Sequence, residues 1–483
     1  MSLFIKKPIL QLLAQAGDSE KGLKRTLGAW NLVALGVGAI IGAGLFVRTA
    51  EAAAEAAGPA VVLSFVVAAI GCAFAGLCYA EFASMIPIAG SAYTYAYATL
   101  GEFLAWVIGW ALVLEYALAS ATVSIAWSEY LNNLLGGAIP YQWTHSPFET
   151  SADGVAGIMN LPALLILLIL TAILIKGTKE SAIVNAIIVF VKVAIVLLFI
   201  GIGWQFINPA NHSPFLIPAD TAGHESWNTF GIGGIFGGAA IVFFAFIGFD
   251  AVSTAAQEAK NPKRDMPIGI LGSLVFCTLL YILFSYVLTG VAPWHEFKTA
   301  GKEASVAYAI QQYMPGYEWL AMMITVAILA GFSSVILVML MGQSRVFYSM
   351  SNDGLIPKVF SELHPKFRTP WKSNMILFVF VGLFSAFVPG SVAGDLTSFG
   401  TLFAFVLVCA GVWVLRVRDP HTHRPFATPL VPLVPILGML VCTSLIVALD
   451  FNTLKIAFAW MAVGLLIYFG YGKAHSYLRK EQK

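Results

Sequence analysis

Residues 36–46 read Gly-Val-Gly-Ala-Ile-Ile-Gly-Ala-Gly-Leu-Phe, and residues 243–250 read Phe-Phe-Ala-Phe-Ile-Gly-Phe-Asp. Each stretch places glycine near the middle of a long apolar segment that is poor in lysine and arginine. In lipid, an unwound backbone is stable only where it lines a cavity inside the protein, because its N–H and C=O groups need partners. Two such interruptions in corresponding positions of two halves indicate a shared binding site near the middle of the membrane.

The composition of the chain indicates a membrane protein with many spans. Of the 483 residues, 59% are hydrophobic and 11% are charged, whereas a soluble chain carries about 25% charged residues. The lipid bilayer is therefore an expected partner, and nucleic acid is not. The sequence contains no metal-ligand spacing, nucleophile elbow or phosphate loop, so we expect no metal site, no cofactor and no enzymatic activity.

Twelve apolar segments are long enough to cross a bilayer as helices, so the expected fold is an all-α polytopic membrane protein. The predicted spans, numbered 1 to 12 in chain order, are 30–50, 59–86, 102–131, 160–176, 181–207, 231–257, 267–291, 317–346, 373–389, 395–416, 432–450 and 454–473. The polar segment 345–372 is expected to form a short amphipathic helix and turn at the membrane surface.

The distribution of basic residues tests this topology. With both termini in the cytoplasm, 22 of the 27 lysines and arginines fall in inner tails and loops and only 4 in outer ones. The remaining one, Lys192, lies inside span 5. This bias is what the positive-inside rule expects, and it predicts a multi-pass protein of the cell membrane with both termini inside.

The two glycine breaks are related by a faint internal repeat. Ala39-Ile40-Ile41-Gly42 in span 1 resembles Ala245-Phe246-Ile247-Gly248 in span 6. The breaks are five spans apart, and because five is odd, the second copy would be inverted in the membrane. Inverted repeats of this kind form a binding site at their interface.

The backbone groups at the breaks suit a zwitterion. After Gly42, the N–H groups of Ala43, Gly44 and Leu45 would carry the positive end of the resumed helix and suit a carboxylate. Carbonyl groups suit an ammonium group, and the expected ones are those of Ile40, Phe244, Ala245 and Ile247. An α-amino acid is therefore the expected ligand, with Phe246 as a gate. The alternative is that the glycines serve only close helix packing.

Two ionisable side chains lie deep in predicted spans. Lys192 in span 5 is expected to gain and lose a proton during transport, and the alternative is a permanently charged structural lysine. Ser333 and Ser334 in span 8 are its expected partners, unless they bond back to their own helix. Glu115 in span 3 is expected to shuttle protons or to favour a cationic substrate, with a structural carboxyl as the alternative.

Three further carboxyl groups lie near the predicted cytoplasmic ends of spans 2 and 6. They are Glu81, Asp250 and Glu258, and we expect them to form ion pairs of an inner gate.

Several motifs resemble those of one transporter family. They are Leu-Lys-Arg-Thr-Leu-Gly at 23–28, the break at 42–44, Phe-Ile-Gly-Phe-Asp at 246–250, Asn-Pro at 261–262 and Ser-Arg-Val-Phe-Tyr-Ser-Met-Ser-Asn-Asp-Gly at 344–354. In combination they resemble the amino acid–polyamine–organocation transporters, and most closely the cationic amino acid transporter branch and its bacterial proton-coupled permeases.

The resemblance implies a five-plus-five inverted repeat followed by two peripheral helices. The corresponding units are a cytoplasmic segment 1–29, a first repeat 30–207, a second repeat 231–416, peripheral spans 432–473 and a tail 474–483.

The resemblance also implies roles for individual residues. The substrate carboxylate would bind at Ala43 and Gly44, and the amino group at the four carbonyls already named. In sodium-coupled relatives of the fold, a sodium ion lies at positions that match Gly38, Ile41, Ala330, Ser333 and Ser334. In proton-coupled members a lysine of span 5 takes its place, and Lys192 matches that lysine. Proton symport without sodium is therefore implied.

The expected substrate is a small neutral amino acid such as alanine, because Met322 and Met323 in span 8 would narrow the side-chain end of the pocket. Glu115 keeps arginine and lysine as alternatives. Two other functions remain open: an exchanger without net proton coupling, and a receptor that senses amino acids without moving them.

Overall fold

The computed structural model describes residues 3–8, 27–86, 91–177, 182–219, 226–299 and 304–481. Within these ranges the regular structure is helical, apart from two isolated β-bridges, Leu27 with Ala259 and Thr150 with Ala156. The protein is thus all-α, as predicted. Most of the N-terminal segment 1–29 lies outside the described residues, and so does the end of the tail.

Each of the twelve predicted spans coincides with an apolar helix or with two or three consecutive helical segments. In chain order they are Ala29–Ile40 with Gly44–Arg48, Val61–Met85, Glu102–Leu134, Leu161–Lys176, Ala182–Gly203, Gly231–Val242 with Phe243–Phe246 and Asp250–Glu258, Pro262–Val291, Glu318–Asn352, Trp371–Phe387, Gly390–Arg418, Leu433–Val447 and Phe451–Ile467. Eight helices of the described chain are long and apolar enough to cross a bilayer, and four shorter apolar helices accompany them.

Span 1 breaks where the sequence predicts it. Its first α-helix ends at Ile40, and Ile41 is extended with φ −73° and ψ 103°. The helix resumes at Gly44 as a π-helical turn and continues through Ala53–Ala57. Two glycines within three residues allow this departure from helical geometry at low steric cost.

Span 6 breaks in a similar way. The α-helix Gly231–Val242 tightens into a 3-10 turn at Phe243–Phe246, and Ile247 is extended with ψ 134°. Gly248 then has φ +113°, a value that side-chain-bearing residues rarely adopt. The helical path resumes at Asp250.

The prediction of a separate amphipathic helix within 345–372 is wrong. The helix of span 8 continues without interruption to Asn352, and only a 3-10 turn, Lys358–Phe360, follows it. The polar residues of this stretch stay helical because one side of the helix remains buried, as Val346 and Met350 show. One turn apart, they share a helix face.

Two helices of nine residues between the spans were not predicted. Ser91–Thr99 follows span 2, and all of its residues are buried. Ser305–Tyr313 follows span 7, and the Ser305 hydroxyl donates to the Phe46 carbonyl at 2.7 Å. Both segments are too short to cross a bilayer. Ser91–Thr99 packs mainly on spans 3 and 10, and Ser305–Tyr313 packs mainly on span 8.

Candidate functional site

The two breaks meet in direct contact. A Cβ atom placed on Gly44 would lie 2.2 Å from the Ala245 Cα atom, and one on Gly248 would lie 2.9 Å from the Ala39 carbonyl oxygen. Such distances leave no room for a side chain, so each break packs a glycine against the backbone of the other. The interrupted backbone of span 1 and that of span 6 therefore form one continuous wall.

A small cavity of about 10 Å³ lies against this wall. Its lining combines both breaks with side chains of spans 3 and 8: Ala39, Ile40, Gly42, Ala43, Gly44, Ala119, Val123, Phe244, Ile247, Val335 and Met339. A cavity of this volume holds about one water molecule. An amino acid could enter only after the surrounding helices move apart.

Backbone donors lie at the first break, where Ala43 and Gly44 line the cavity. Gly44 begins the resumed helix, so the N–H groups there have no acceptor within the helix and carry its positive end. The Leu45 N–H is already used, since it donates to the Gly42 carbonyl at 3.2 Å. Ala43 and Gly44 are therefore the better positioned of the three predicted donors.

Two of the predicted acceptors share an unexpected partner. The Tyr281 hydroxyl of span 7 lies 3.0 Å from the Ile40 carbonyl oxygen and 2.9 Å from the Ala245 carbonyl oxygen. A third predicted acceptor, the Phe244 carbonyl, receives the Ile247 N–H at 3.3 Å. The sequence analysis missed Tyr281; the available signal was a polar group in the middle of an apolar span.

Phe246, the predicted gate, does not line the cavity. It is fully buried, and its ring packs against Phe65 and Tyr281, with centroids 6.1 and 5.4 Å away. Phe244 and Ile247 line the cavity instead. In this structure Phe246 supports the Tyr281 ring rather than covering the site.

The expectation that Met322 and Met323 narrow the pocket is wrong. They are 64% and 52% exposed, on the outer surface of span 8. The side chains of span 8 that line the cavity are Val335 and Met339, more than three helical turns further along. The prediction chose residues at the wrong position along the long helix of span 8. Hydrophobicity alone does not show which turn of such a helix lies beside the cavity.

Lys192 lies where the resemblance implies. Its side chain is 4% exposed, and Nζ donates to the Gly38 carbonyl at 2.9 Å. The aliphatic part packs on Gly331, where an added Cβ would lie 2.7 Å from the lysine Cε. Ile41 joins Lys192 in lining a second cavity of about 10 Å³. The lysine thus links the first half of span 1 to span 8.

The two serines of span 8 differ in their surroundings. The Ser333 hydroxyl donates back to the Leu329 carbonyl at 2.9 Å, so it follows the alternative given in the sequence analysis. Ser334 is buried on the same helix, at 7% exposure.

Glu115 is fully buried but does not line the cavity. It interacts electrostatically with the Asp250 carboxyl and with Thr401. In the described part of the chain, neither Glu115 oxygen has a hydrogen-bond partner of good geometry. This placement separates Glu115 from the expected position of a substrate side chain.

The ion-pair expectation holds for one carboxyl group and fails for another. Glu81 pairs with Arg416 at 2.9 Å and with Arg424 at 3.1 Å, which confirms the ion pair. Asp250 instead accepts the Tyr116 hydroxyl at 2.6 Å. Among the described residues its side-chain partners are the Tyr116 hydroxyl and the Glu115 carboxyl rather than a basic group, so the predicted ion pair is wrong. The side chain of Glu258 lies outside the described residues.

A larger cavity of about 70 Å³ lies beyond the first break, on the side predicted to face outward. Ala43 lines both this cavity and the smaller one. Arg48, only 1% exposed, lies in its wall and forms ion pairs with Glu51 at 2.5 Å and with Asp395 of span 10. The sequence analysis had counted Arg48 only as an outer charge.

A helical membrane protein whose two broken spans enclose a site is typical of secondary transporters. The family model "Amino acid permease" matches residues 27–470, and the chain belongs to this family, within the amino acid–polyamine–organocation superfamily.

Three curated relatives illustrate the similarity. The branched-chain amino acid permease BcaP of Bacillus subtilis (strain 168) is 44% identical over 99% of both chains. The methylthioribose transporter of the same organism is 42% identical over 99% of this chain and 100% of its own. The vacuolar cationic amino acid transporter 4 of Arabidopsis thaliana is 34% identical over 87% of this chain and 68% of its own. The last agrees with the predicted branch.

Proposed function

We propose that the protein takes up neutral aliphatic L-amino acids together with protons by alternating access. The observation that carries this proposal is the cavity at the junction of the two broken spans. Its lining includes Ala43 and Gly44, at the start of the resumed helix, together with Ile40, Phe244 and Ile247, three of the four residues whose carbonyls are the predicted acceptors. These groups complement the two charged ends of an amino acid.

The side chains around the cavity favour an aliphatic substrate. Ala119, Val123, Val335 and Met339 are apolar, so they would gain from burying a hydrocarbon group and would leave a charged one without a partner. Alanine demands the least expansion of the cavity. The name of the BcaP relative adds branched-chain amino acids to the candidates.

A second candidate substrate comes from the other Bacillus relative, which is named a methylthioribose transporter at nearly the same identity. Methylthioribose is an uncharged sugar derivative. It has no carboxylate for the helix end at Gly44 and no ammonium group for the carbonyls. The backbone arrangement therefore favours an amino acid.

Proton coupling is assigned to Lys192. Its ammonium group bonds the Gly38 carbonyl in the last turns of the first half of span 1. Loss of the proton weakens this charge-assisted bond and frees that half-helix to move. Gain of a proton from the outer side and its loss to the inner side would drive accumulation of the substrate.

Cationic amino acids are the first alternative substrate. Glu115, the residue expected to favour them, is not part of the cavity lining, and this makes them the weaker candidate. The other two alternatives are an exchanger without net proton coupling and a receptor that senses amino acids. An exchanger would move substrate equally well without a pH gradient, and a receptor would bind substrate without moving it.

The test is uptake into proteoliposomes with the interior at higher pH than the exterior. Labelled alanine, isoleucine, arginine and methylthioribose are compared, for the wild type and for Lys192→Ala. We expect accumulation of alanine and isoleucine that collapses with the gradient, and little uptake of the other two. Gradient-driven accumulation by Lys192→Ala would refute the assignment of coupling, and uptake of methylthioribose alone would refute the substrate class.

A further inference from the structure

Tyr281 connects the two breaks through a single hydroxyl group. The group lies within hydrogen-bond distance of the Ile40 carbonyl in span 1 and of the Ala245 carbonyl in span 6. A phenol has one proton to donate, so the two carbonyls share it. The side chain is fully buried, so water has no ready access to replace the bond.

The packing of the ring fixes the position of this hydroxyl. Tyr281 lies between Phe65 of span 2 and Phe246 of span 6, with ring centroids 5.5 and 5.4 Å away. Tyr281 is not among the residues that line the cavity of about 10 Å³. It therefore holds the two carbonyls from outside the cavity wall while the walls are close together.

Both carbonyls have a second expected partner. They are two of the four acceptors proposed for the substrate's ammonium group. A buried carbonyl that loses its partner is costly, and an ammonium group offers three donors and a positive charge. The cavity cannot hold an amino acid when it is this small, so in the closed form the Tyr281 hydroxyl takes the place of the ammonium group at the two carbonyls.

Resting on the proposed function, we propose that the Tyr281 hydroxyl is an internal substitute for the substrate's ammonium group. It pairs the Ile40 and Ala245 carbonyls when no substrate is bound, and so lets the unloaded transporter close and return across the membrane. Tyr281 is thus a positioning residue: it acts on the two breaks rather than on the substrate.

The substitution Tyr281→Phe separates this role from a purely structural one. It leaves the two carbonyls unpaired only in the unloaded form, because substrate supplies its own donors. The unloaded form is then destabilised relative to the loaded form. Substrate should bind more tightly, and the return of the unloaded transporter should become slow, whereas one-for-one exchange needs no unloaded return.

The experiment compares net uptake and exchange in proteoliposomes. For Tyr281→Phe we expect net proton-driven alanine uptake to fall about tenfold, exchange of preloaded alanine to stay within about twofold of wild type, and the KM for alanine to fall about tenfold, since 1.4 kcal/mol corresponds to a factor of ten. Tyr79→Phe is the matched control, because the buried Tyr79 hydroxyl has no hydrogen-bond partner in the described chain. The control should keep all three values near those of wild type.

Three results would overturn the proposal: equal losses of uptake and exchange, an unchanged KM, or the same phenotype in Tyr79→Phe. Site-specific replacement of Tyr281 by 3-fluorotyrosine, a stronger donor, provides an independent check and should raise the KM for alanine. If the wild type exchanges no amino acid at all, the proposed function fails first and the role of Tyr281 fails with it.

Discussion

Gly44 of span 1 packs directly on Ala245 of span 6, so closely that a Cβ on the glycine would lie 2.2 Å from the alanine Cα and 2.6 Å from its backbone nitrogen. The obstacle is backbone, which cannot move aside as the end of a flexible side chain can. The contact holds the donors of one break beside the carbonyls of the other. In the proposed binding mode, the spacing of the two charged ends of the substrate depends on this contact.

Gly44→Ala should therefore reduce transport strongly rather than weaken it slightly. Overpacking a tight site costs about 1–3 kcal/mol, and relief would require the two spans to separate. We expect alanine uptake to fall more than about tenfold, measured in proteoliposomes. Gly201→Ala is the control, since a Cβ at Gly201 in span 5 meets nothing within 4 Å. Normal uptake by Gly44→Ala would mean that the two breaks do not have to touch.

The fold could be predicted from the sequence because the bilayer imposes strong constraints. Apolar length located the twelve spans, and glycines located both breaks to within a residue or two. The short helix Ser91–Thr99 was missed because it contains five tyrosine and threonine hydroxyl groups among its alanines and is too short to cross the membrane. Its burial comes from tertiary packing, which a local sequence pattern does not report.

The site could be predicted only in its backbone part. Glycine breaks identify main-chain donors and acceptors, because the constraint on φ and ψ is local. Tyr281, Val335 and Met339 belong to spans whose rotation and depth are set by packing against neighbours. Hydropathy does not fix the depth of a residue along a long helix, and the choice of Met322 instead of Met339 shows the consequence.

Gly331→Ala should weaken proton coupling without touching the substrate cavity. Its Cβ would lie 2.7 Å from the Lys192 Cε, so the lysine side chain must shift, and we expect this shift to weaken its bond to the Gly38 carbonyl. We expect exchange of alanine to persist, while gradient-driven accumulation falls about threefold to tenfold. This is the size of effect that the loss of one charge-assisted hydrogen bond would produce. Parallel measurements of exchange and accumulation check this. A variant with full accumulation would show that Lys192 can act away from Gly38.

Glu115→Gln should change the response to pH and leave selectivity unaltered. Glu115 lies beside Asp250, and two adjacent buried carboxyl groups are costly to ionise together. The amide removes one of the two titrating groups, so the dependence of alanine uptake on external pH should become shallower. The ratio of alanine to arginine uptake should stay constant, because Glu115 is outside the cavity lining. A gain or loss of arginine uptake would place Glu115 at the substrate side chain after all.

Met339→Val should shift the preference towards larger aliphatic substrates. Met339 lines the cavity and is 2% exposed, so the shorter side chain enlarges the space available to the substrate. One methylene group in an apolar pocket changes discrimination by about tenfold or more, and we expect the ratio of isoleucine to alanine uptake to rise by about that factor. Met323→Ala is the matched control on the same helix, since that side chain is 52% exposed. If Met323→Ala alters the ratio and Met339→Val does not, the side-chain pocket lies nearer the start of span 8 than the cavity indicates.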